Sequence, residues 1–453
     1  MSCYSWCVMK EQLRALVSHR NPLRLGWHYA RAWAAALLCG FPARSLTVIG
    51  ITGTDGKTTT VSMVTHILLV AGKRVGSAST TFFQVGEKRE ENATHQTSMQ
   101  PMVLQKFLRR LVHEKCEFAV IEMSSHGLVQ GRVHHTFPSV SAITNTSREH
   151  LDYHGNMQQY RKDKGNIFRM LKGKGTKVLN ASDESFALYK IIPSQRTITY
   201  GSPGTDMWLS DISLRETESS ATLHTGKGGN VQLTLPVAGS FNLENALCAI
   251  SCAQTVGIPL EMCVQALRSF RSPPGRLECI DEGQGFSVFV DFTVSPQAYA
   301  KILTTLQSLV KESGRVLVLC GSCGNRMKEK RPEVGRIVSE HADVVVVTED
   351  ETYGEDPHAI LEEVWAGITQ ESCQAHKIFD RRKAIEWILR EAKPGDAVAL
   401  CGMGPYTSFT KLEGSIPWNE AKIARSVLRS LNHESEKILS DILQETLTIH
   451  HSE

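Results

Sequence analysis

Leu46-Thr47-Val48-Ile49-Gly50-Ile51-Thr52-Gly53-Thr54-Asp55-Gly56-Lys57-Thr58-Thr59 is the stretch that decides the fold. Its first half is apolar and β-branched, as a buried strand requires, and it runs into a glycine-rich turn. A helix is predicted from about Thr58, with Val61, Val64, Ile67, Leu68 and Val70 on its apolar face and Ala71-Gly72 at its end. Strand, turn and helix in that order are the context a phosphate loop needs. Glycines let backbone N–H groups turn toward phosphate oxygens and the helix N-terminus adds partial positive charge, while Lys57 reaches the terminal phosphates and the Thr58 hydroxyl can hold magnesium. The usual spacing has a glycine where Ile51 stands, so the loop is a shortened form. The competing reading is a chance Gly-Lys-Thr in an ordinary turn, and the flanking strand and helix tell against it.

Outward from this turn the same grammar repeats. Leu104, Phe107, Leu108 and Leu111 mark a helix, and residues 118–121 and 140–143 are short apolar runs that fit parallel strands covered on both faces. From about 197 to 235 the pattern alternates with a period of two and is rich in glycine, which predicts a small antiparallel appendage. Helices resume at Asn242. Pro273-Pro274-Gly275 is the strongest linker signal, and beyond it residues 286–290, 316–319, 344–347 and 397–400 are apolar strands separated by helical stretches. The expected architecture is α/β: a central P-loop domain on a parallel sheet (46–273) and a C-terminal Rossmann-like α/β domain (274–431). A helical segment (1–45) precedes them and a polar tail (432–453), a loose or frayed helix, follows.

Composition excludes several classes. The 50 Lys+Arg against 47 Asp+Glu give a net charge of only +3, so nucleic acid is not the expected partner. The 12 cysteines are scattered, several in apolar runs, and read as reduced core residues. Cys320-Gly-Ser-Cys323 has a redox or zinc-like spacing but no matching second pair, and Cys3 and Cys7 are weaker still. No segment reaches the ~18 apolar residues of a membrane span and the start is not a secretory signal, so a cytoplasmic monomer acting on small molecules is expected. Residues 27–41 mix Trp27, Tyr29, Trp33, Leu37, Leu38 and Phe41 with Arg31. We expect a helix packed on its own domain, the alternative being one that lies on a membrane surface, with no stable insertion in either case.

Polar clusters follow the predicted strands, at the ends where such sheets bind ligands. After 118–121 comes Glu122-Met-Ser124-Ser-His-Gly-Leu-Val-Gln130-Gly-Arg132, in which a carboxylate suits magnesium and serines with an arginine suit an anion; a hydrogen-bonded loop is the alternative. After 140–143 comes Asn145-Thr-Ser-Arg-Glu-His150-Leu-Asp152-Tyr-His-Gly155, then Tyr160-Arg-Lys-Asp-Lys164; His150 can coordinate a second magnesium. Asn242 and Asn245 share one helix face and can bond a base edge, although a helix cap is the usual role for the first.

Thr52-Gly-Thr-Asp-Gly-Lys-Thr-Thr59, with the Glu122 and His150 runs, resembles the Mur ligases, closest to the branch that adds the third peptide residue; relatives are the folylpolyglutamate synthases and cyanophycin synthetases. The resemblance covers roughly 45–430 and implies an ATP-dependent carboxylate–amine ligase that works through an acyl-phosphate. It implies that Gly53, Thr54, Asp55, Gly56, Lys57, Thr58, Thr59, Asn242, Asn245, Arg276 and Asp291 meet ATP, with Lys57, His150 and Lys164 catalytic. Thr58, Glu122, His150 and Lys164 would serve two magnesium ions, Lys164 as a carbamate. Thr97, Ser98, Ser124, Gln130 and Arg132 would meet a muramoyl-dipeptide donor. Asp350 and Tyr353 fall in the amino-acid-selecting loop.

Departures accompany the resemblance. Asp55 replaces the usual Asn, Met99 replaces a proline and Val294 a histidine. Tyr353 stands where diaminopimelate enzymes carry an arginine, and Gly402-Met-Gly-Pro405 replaces their Gly-Lys-Gly-His-Glu run, so diaminopimelate is not the expected acceptor. Only about 45 residues precede the first strand, where this branch carries a uridine-nucleotide domain, so the donor is expected to be held by fewer contacts or not to be uridine-linked. The rival readings are a related ligase with another donor and a scaffold that binds ATP without turnover.

Overall fold

The computed structural model describes residues 20–434 apart from 93, 95, 311, 312, 370, 372 and 412. Expectations for Cys3, Cys7 and the last residues of the tail lie outside the described residues. The chain is built on two α/β sheets. In the first, of 11 strands, β1 (Thr47–Thr52) lies between β5 (Phe118–Glu122) and β6 (Val140–Ile143). All are parallel, with Ile51 opposite Glu122 on one side and Ala142 on the other. Both faces of these strands are covered, which is why they are apolar throughout rather than alternating. The register sets function: Glu122 is level with Ile51, so its carboxylate stands at the strand tips beside the phosphate loop.

Outward from β6 run β7 (Thr176–Asn180), β8 (Arg196–Tyr200), β9 (Met207–Leu214), β10 (Ser219–Thr225) and β11 (Gly229–Leu235). β8 pairs in parallel with β7 and meets β9 in parallel at Tyr200 and Met207, and antiparallel pairing begins only between β9 and β10. The expected antiparallel appendage is therefore antiparallel from β9 to β11 and continues the main sheet. Its alternating pattern is that of strands with one face on the core and one toward water. On the other side β2 (Val75–Ala78) leads to an antiparallel edge, β3 (Phe82–Val85) and β4 (Lys88–Glu91).

The helix Lys57–Val70 is buried around most of its circumference, between the sheet and the helix Ser240–Thr255. That accounts for its lack of a strong polar face, although Val70 itself is exposed. The second sheet is β12 (Glu278–Ile280), β13 (Ser287–Asp291), β17 (Ala397–Cys401), β14 (Val316–Cys320), β15 (Val344–Val347) and β16 (Gln374–Lys377), in that spatial order. It is parallel except for β12. Its core is pinned by the Arg381–Glu420 pair at 2.6 Å, both fully buried, with Arg381 also bonding the carbonyls of Glu349 and Cys401. The chain crosses between the sheets through Pro273 to Leu277, where Leu277 N–H donates to Asp291 Oδ2 at 2.6 Å.

The helix Pro22–Leu38 does pack on the first sheet's side of the molecule, against the helix Pro101–His113. It does so through Ala32, Ala35 and Ala36, while its large apolar side chains point away.

Candidate active site

The turn after β1 is held too closely to admit side chains at its glycines. Gly53 has φ +155, and a Cβ there would lie 1.8 Å from Thr144 Oγ1. Gly56 has φ +78 and precedes the helix Lys57–Val70; its Cβ would lie 2.1 Å from Asn245 Oδ1. The loop after β6 clamps this turn: Asp55 N–H donates to Asn145 Oδ1 at 3.0 Å, Thr144 Oγ1 donates to Asp55 O at 2.6 Å, and Ser147 N–H donates to Thr54 Oγ1 at 3.0 Å. Lys57 Nζ folds back onto Thr54 O at 2.6 Å. Burial lowers its pKa against the pull of Glu122 and Asp55. Asn242 and Asn245 bond each other at 3.3 Å behind the turn, and Asn242 Nδ2 also donates to Ala238 O.

Glu122 is buried and fully engaged. Thr58 Oγ1 donates to its Oε2 at 2.9 Å; Thr80 donates through N–H at 2.9 Å and through Oγ1 at 3.0 Å. Thr80 Oγ1 also bonds Thr97 Oγ1 at 3.0 Å, so one network runs from the phosphate loop to Thr97. His150 is in the left-handed region at φ +57, with its ring 4.8 Å from that of His126. Burial holds its imidazole well below the usual range, the neutral form that ligates metal. Among the described residues no three His, Cys, Asp or Glu side chains converge as a metal cage. A hydroxyl and a carboxylate 2.9 Å apart beside a phosphate loop do fit magnesium, which keeps waters and substrate oxygens in its shell.

Lys164 ends the helix Met157–Lys164 on the far side of the same turn. It is buried, donates to Gly53 O at 2.6 Å and lies 4.6 Å over the Tyr160 ring. Burial first, and the Lys57 charge second, push its amine well below the ordinary lysine range. A lysine in a helix rich in Lys and Arg is ordinarily solvated; here the helix end turns it inward.

The second sheet supplies the opposite wall of a cavity of 260 Å³. Arg276 Nη2 donates to Thr58 Oγ1 at 3.3 Å, its guanidinium lies 4.8 Å over the Phe292 ring, and its Nε is buried without a hydrogen-bond partner among the described residues. Lys330 Nζ bridges the sheets, donating to Glu149 Oε1 and to Val294 O, each at 2.9 Å. Asp291, Asp350, Glu351 and Tyr353 line the same cavity. Burial raises the Asp350 carboxyl to about 6, against the opposing pull of Arg381. The Tyr353 hydroxyl donates to Glu351 Oε2.

Beside the cavity, Ser98, Ser124, Gln130 and Arg132 form a cluster. Ser124 N–H donates to Ser98 Oγ at 2.9 Å, and Arg132 donates to Gln130 Oε1 at 2.7 Å and to Ser98 O at 3.1 Å. Thr97 alone of this group lines the cavity itself. Sequence reasoning missed Thr80, Glu149 and Lys330 as parts of the site. Glu149 sits inside a motif singled out for its neighbours, whereas nothing local marks Thr80.

This combination of a phosphate turn, a strand-tip carboxylate and a second α/β sheet facing both is matched in known proteins. Residues 51–253 match the model of the Mur ligase middle domain and 275–404 that of the Mur ligase glutamate ligase domain, and the chain belongs to the Mur ligase family. More particularly, it is 33% identical over 407 residues to a UDP-N-acetylmuramoyl-L-alanyl-D-glutamate–2,6-diaminopimelate ligase of Geobacillus kaustophilus, covering 88% of this chain and 82% of that one. It is 34% identical over 426 residues to a UDP-N-acetylmuramyl-tripeptide synthetase of Roseiflexus, covering 89% and 82%. A Thermotoga maritima MurF ligase solved with ADP shares the fold at TM-score 0.65 and 21% identity, covering 90% and 84%.

The Lys330–Glu149 pair gives a direct test of how the two sheets are coupled. Lys330→Met strands a buried carboxylate and is expected to cost about 3–5 kcal/mol. Lys330→Met with Glu149→Leu should recover most of that loss, and the cycle is read from urea unfolding of the four proteins.

Proposed function

We propose that this chain joins the carboxylate of a UDP-N-acetylmuramoyl-peptide-type donor to the amine of an amino acid, cleaving ATP to ADP and phosphate. The observation that supports it most is the shared cavity: Lys57, Thr58, Glu122 and His150 line one wall, and Arg276, Lys330, Asp350 and Tyr353 the other. A donor carboxylate oxygen attacks the γ-phosphorus, ADP leaves, and an acyl-phosphate forms; the acceptor amine then attacks the acyl carbon and phosphate leaves. Lys57 and the turn's N–H groups stabilise charge on the phosphoryl oxygens, and Arg276 does so from the opposite wall. Thr58 and Glu122 would hold magnesium, with His150 placed for a second ion, and the metal would supply further charge neutralisation. Lys330 and Glu149 hold the walls together and keep water from the acyl-phosphate. We take 46–273 and 274–431 as the two working domains; the cavity is lined within one chain, so a monomer suffices, and the ATP requirement puts it in the cytoplasm.

Ser98, Ser124, Gln130 and Arg132 bind the donor's anionic peptide, next to Thr97. The acceptor enters over Asp350, Glu351 and Tyr353, and we propose that it is not diaminopimelate. Tyr353 offers no cation to a distal carboxylate, and its hydroxyl is engaged by Glu351. A panel of donors against amino acids, scored by phosphate release, tests the reaction. Release dependent on a muramoyl-dipeptide and an amino acid is expected; ATP binding without donor-dependent release, or a preference for diaminopimelate, contradicts it.

Lys164 is proposed to carry a carbamate. Its depressed basicity supplies the neutral amine that adds to CO2, with release of a proton, and the new anion relieves its repulsion with Lys57. Lys164→Ala is expected to lower turnover by about 100-fold or more, the scale of losing one well-placed charge, with partial recovery in formate or acetate. Full activity without added acid contradicts the role.

Asp350 gives a pH signature. Its raised carboxyl favours the protonated fold, so its stability contribution is complete below the ordinary aspartate range and is lost as pH rises through about 6. The ionised form is the one that holds an acceptor ammonium. Acceptor KM should therefore rise as pH falls below about 6, and Asp350→Asn should raise KM at neutral pH and flatten that limb.

A further inference from the structure

We propose that the helix Pro22–Leu38 docks the chain on the surface of an anionic lipid bilayer. The helix is amphipathic in the inverse of the usual sense. At 3.6 residues per turn, positions 23, 27, 30, 34, 37 and 38 fall on one side, with Trp33 at its edge. Positions 32, 35 and 36 fall on the other. The buried side is Ala32, Ala35 and Ala36, whereas Leu23 is 85% exposed, Trp27 66%, Trp33 52%, Leu37 50% and Leu38 71%. A helix that served only its own domain would turn its tryptophans and leucines inward.

Charge says what covers this face. No Asp or Glu occurs from position 12 to 54. Arg31 lies at the edge of the apolar stripe, and Arg44 follows the helix, exposed and 5.4 Å over the ring of Phe137, itself a partly exposed aromatic. Lys172 is exposed and close enough to act on His135 together with Arg44. The packed helix Pro101–His113 adds exposed Lys106 and Arg109 and has no carboxylate. Tryptophan, leucine and arginine on one helix surface are the chemistry of the bilayer interface, where rings sit at the headgroups and guanidinium groups meet phosphates. A second copy fits less well, because a two-fold contact would set this positive border against itself. Among the described residues no helix is long and apolar enough to cross a membrane, so the helix lies on the surface.

The other side of the helix reaches the region between β5 and β6. Tyr29 Oη donates to Val129 O at 3.3 Å, and a Cβ on Gly131 would lie 2.6 Å from the Tyr29 ring. Docking would thus hold the Gln130–Arg132 segment near the headgroups, whatever reaction the cavity carries out.

The test is sedimentation of the full chain with vesicles of phosphatidylcholine alone or mixed equally with phosphatidylglycerol. Binding to the mixed vesicles only, weakened by salt, is expected. Trp27→Ser with Trp33→Ser should abolish it. Arg31→Gln and Arg44→Gln should each weaken it about fivefold. All four positions are exposed, so unchanged melting and phosphate release separate lost docking from lost folding. The proposal is overturned by absence of binding to mixed vesicles or by binding that survives the tryptophan substitutions. It is also overturned by a tryptophan-dependent dimer in place of binding, or by binding that appears only when residues 1–19 are deleted.

Discussion

Two amines buried against opposite sides of one glycine turn are the arrangement around which the site is organised. Lys57 bonds Thr54 O and Lys164 bonds Gly53 O, so successive carbonyls of the turn face a lysine each. Burying one unpaired ammonium is costly, and burying two close together compounds the cost. Burial lowers both, with the charge of Arg276 adding to it at Lys57 and that of Lys57 at Lys164, while Asp55, Glu122 and Glu149 pull back on one or both. This gives Asp55 a reason to be there. An acid beside phosphates is unfavourable taken alone, but here it sits between two lysines and accepts a hydrogen bond from Ser147 Oγ at 3.3 Å. In this setting it does the balancing that an asparagine would not.

The clamp on that turn has to be rigid, and the contact between the sheets does not. Around the turn, the N–H groups of Thr54 and Asp55 and the carbonyl of Asp55 are all bonded by the loop after β6, and the glycines leave no room to relax. Across the cavity the polar contacts are Arg276 on Thr58, Lys330 on Glu149, Lys301 on Glu244 at 3.9 Å and the Arg148–Glu333 pair at 3.5 Å, and beside them Ala238 and Phe241 pack into the apolar core of the second sheet. A contact that is largely polar with a small apolar patch resembles those between domains that move. Glu149 Oε2 is buried without a partner among the described residues, so even the strongest bridge is incompletely satisfied. A site that must admit two substrates and then exclude water benefits from a closure of this modest depth.

How much of this was legible in the sequence depended on whether the signal was local. The β1 turn was legible because strand, glycines, lysine and helix are contiguous, and Glu122 because it ends an apolar run at the sheet's binding edge. The linker was legible from Pro273-Pro274-Gly275. Parallel pairing of β8 with β7 was not, since glycine-rich alternation looks alike whether a sheet continues or a new one begins; partner choice is a tertiary fact. Thr80 was invisible because a threonine in a polar segment carries no mark until β2 and β5 pair and bring it to Glu122. The burial of Lys164 was hidden among Arg161, Lys162 and Lys164, of which Lys164 turns inward at the helix end while Lys162 stays exposed.

Three of the departures, at Val294, at Tyr353 and in the run Gly402 to Pro405, fall on the second sheet's wall of the cavity, whereas Asp55 stands in the phosphate turn, and the grouping follows from how the two walls are built. The groups proposed to meet the triphosphate are fixed by strand tips and a turn with no spare volume, so substitutions there disturb packing as well as chemistry. The wall proposed for the acceptor is carried on loops after β13, β15 and β17, which hold Val294, Tyr353 and Tyr406. A side chain there can change what is recognised while leaving the strands beneath it untouched. Tyr353 illustrates the point: it sits at φ +46, stacks under Arg326 at 5.6 Å and bonds Glu351, filling its place with contacts of its own. Its surroundings are those of an adapted pocket; a lost one would leave the Glu351 carboxylate buried without that partner.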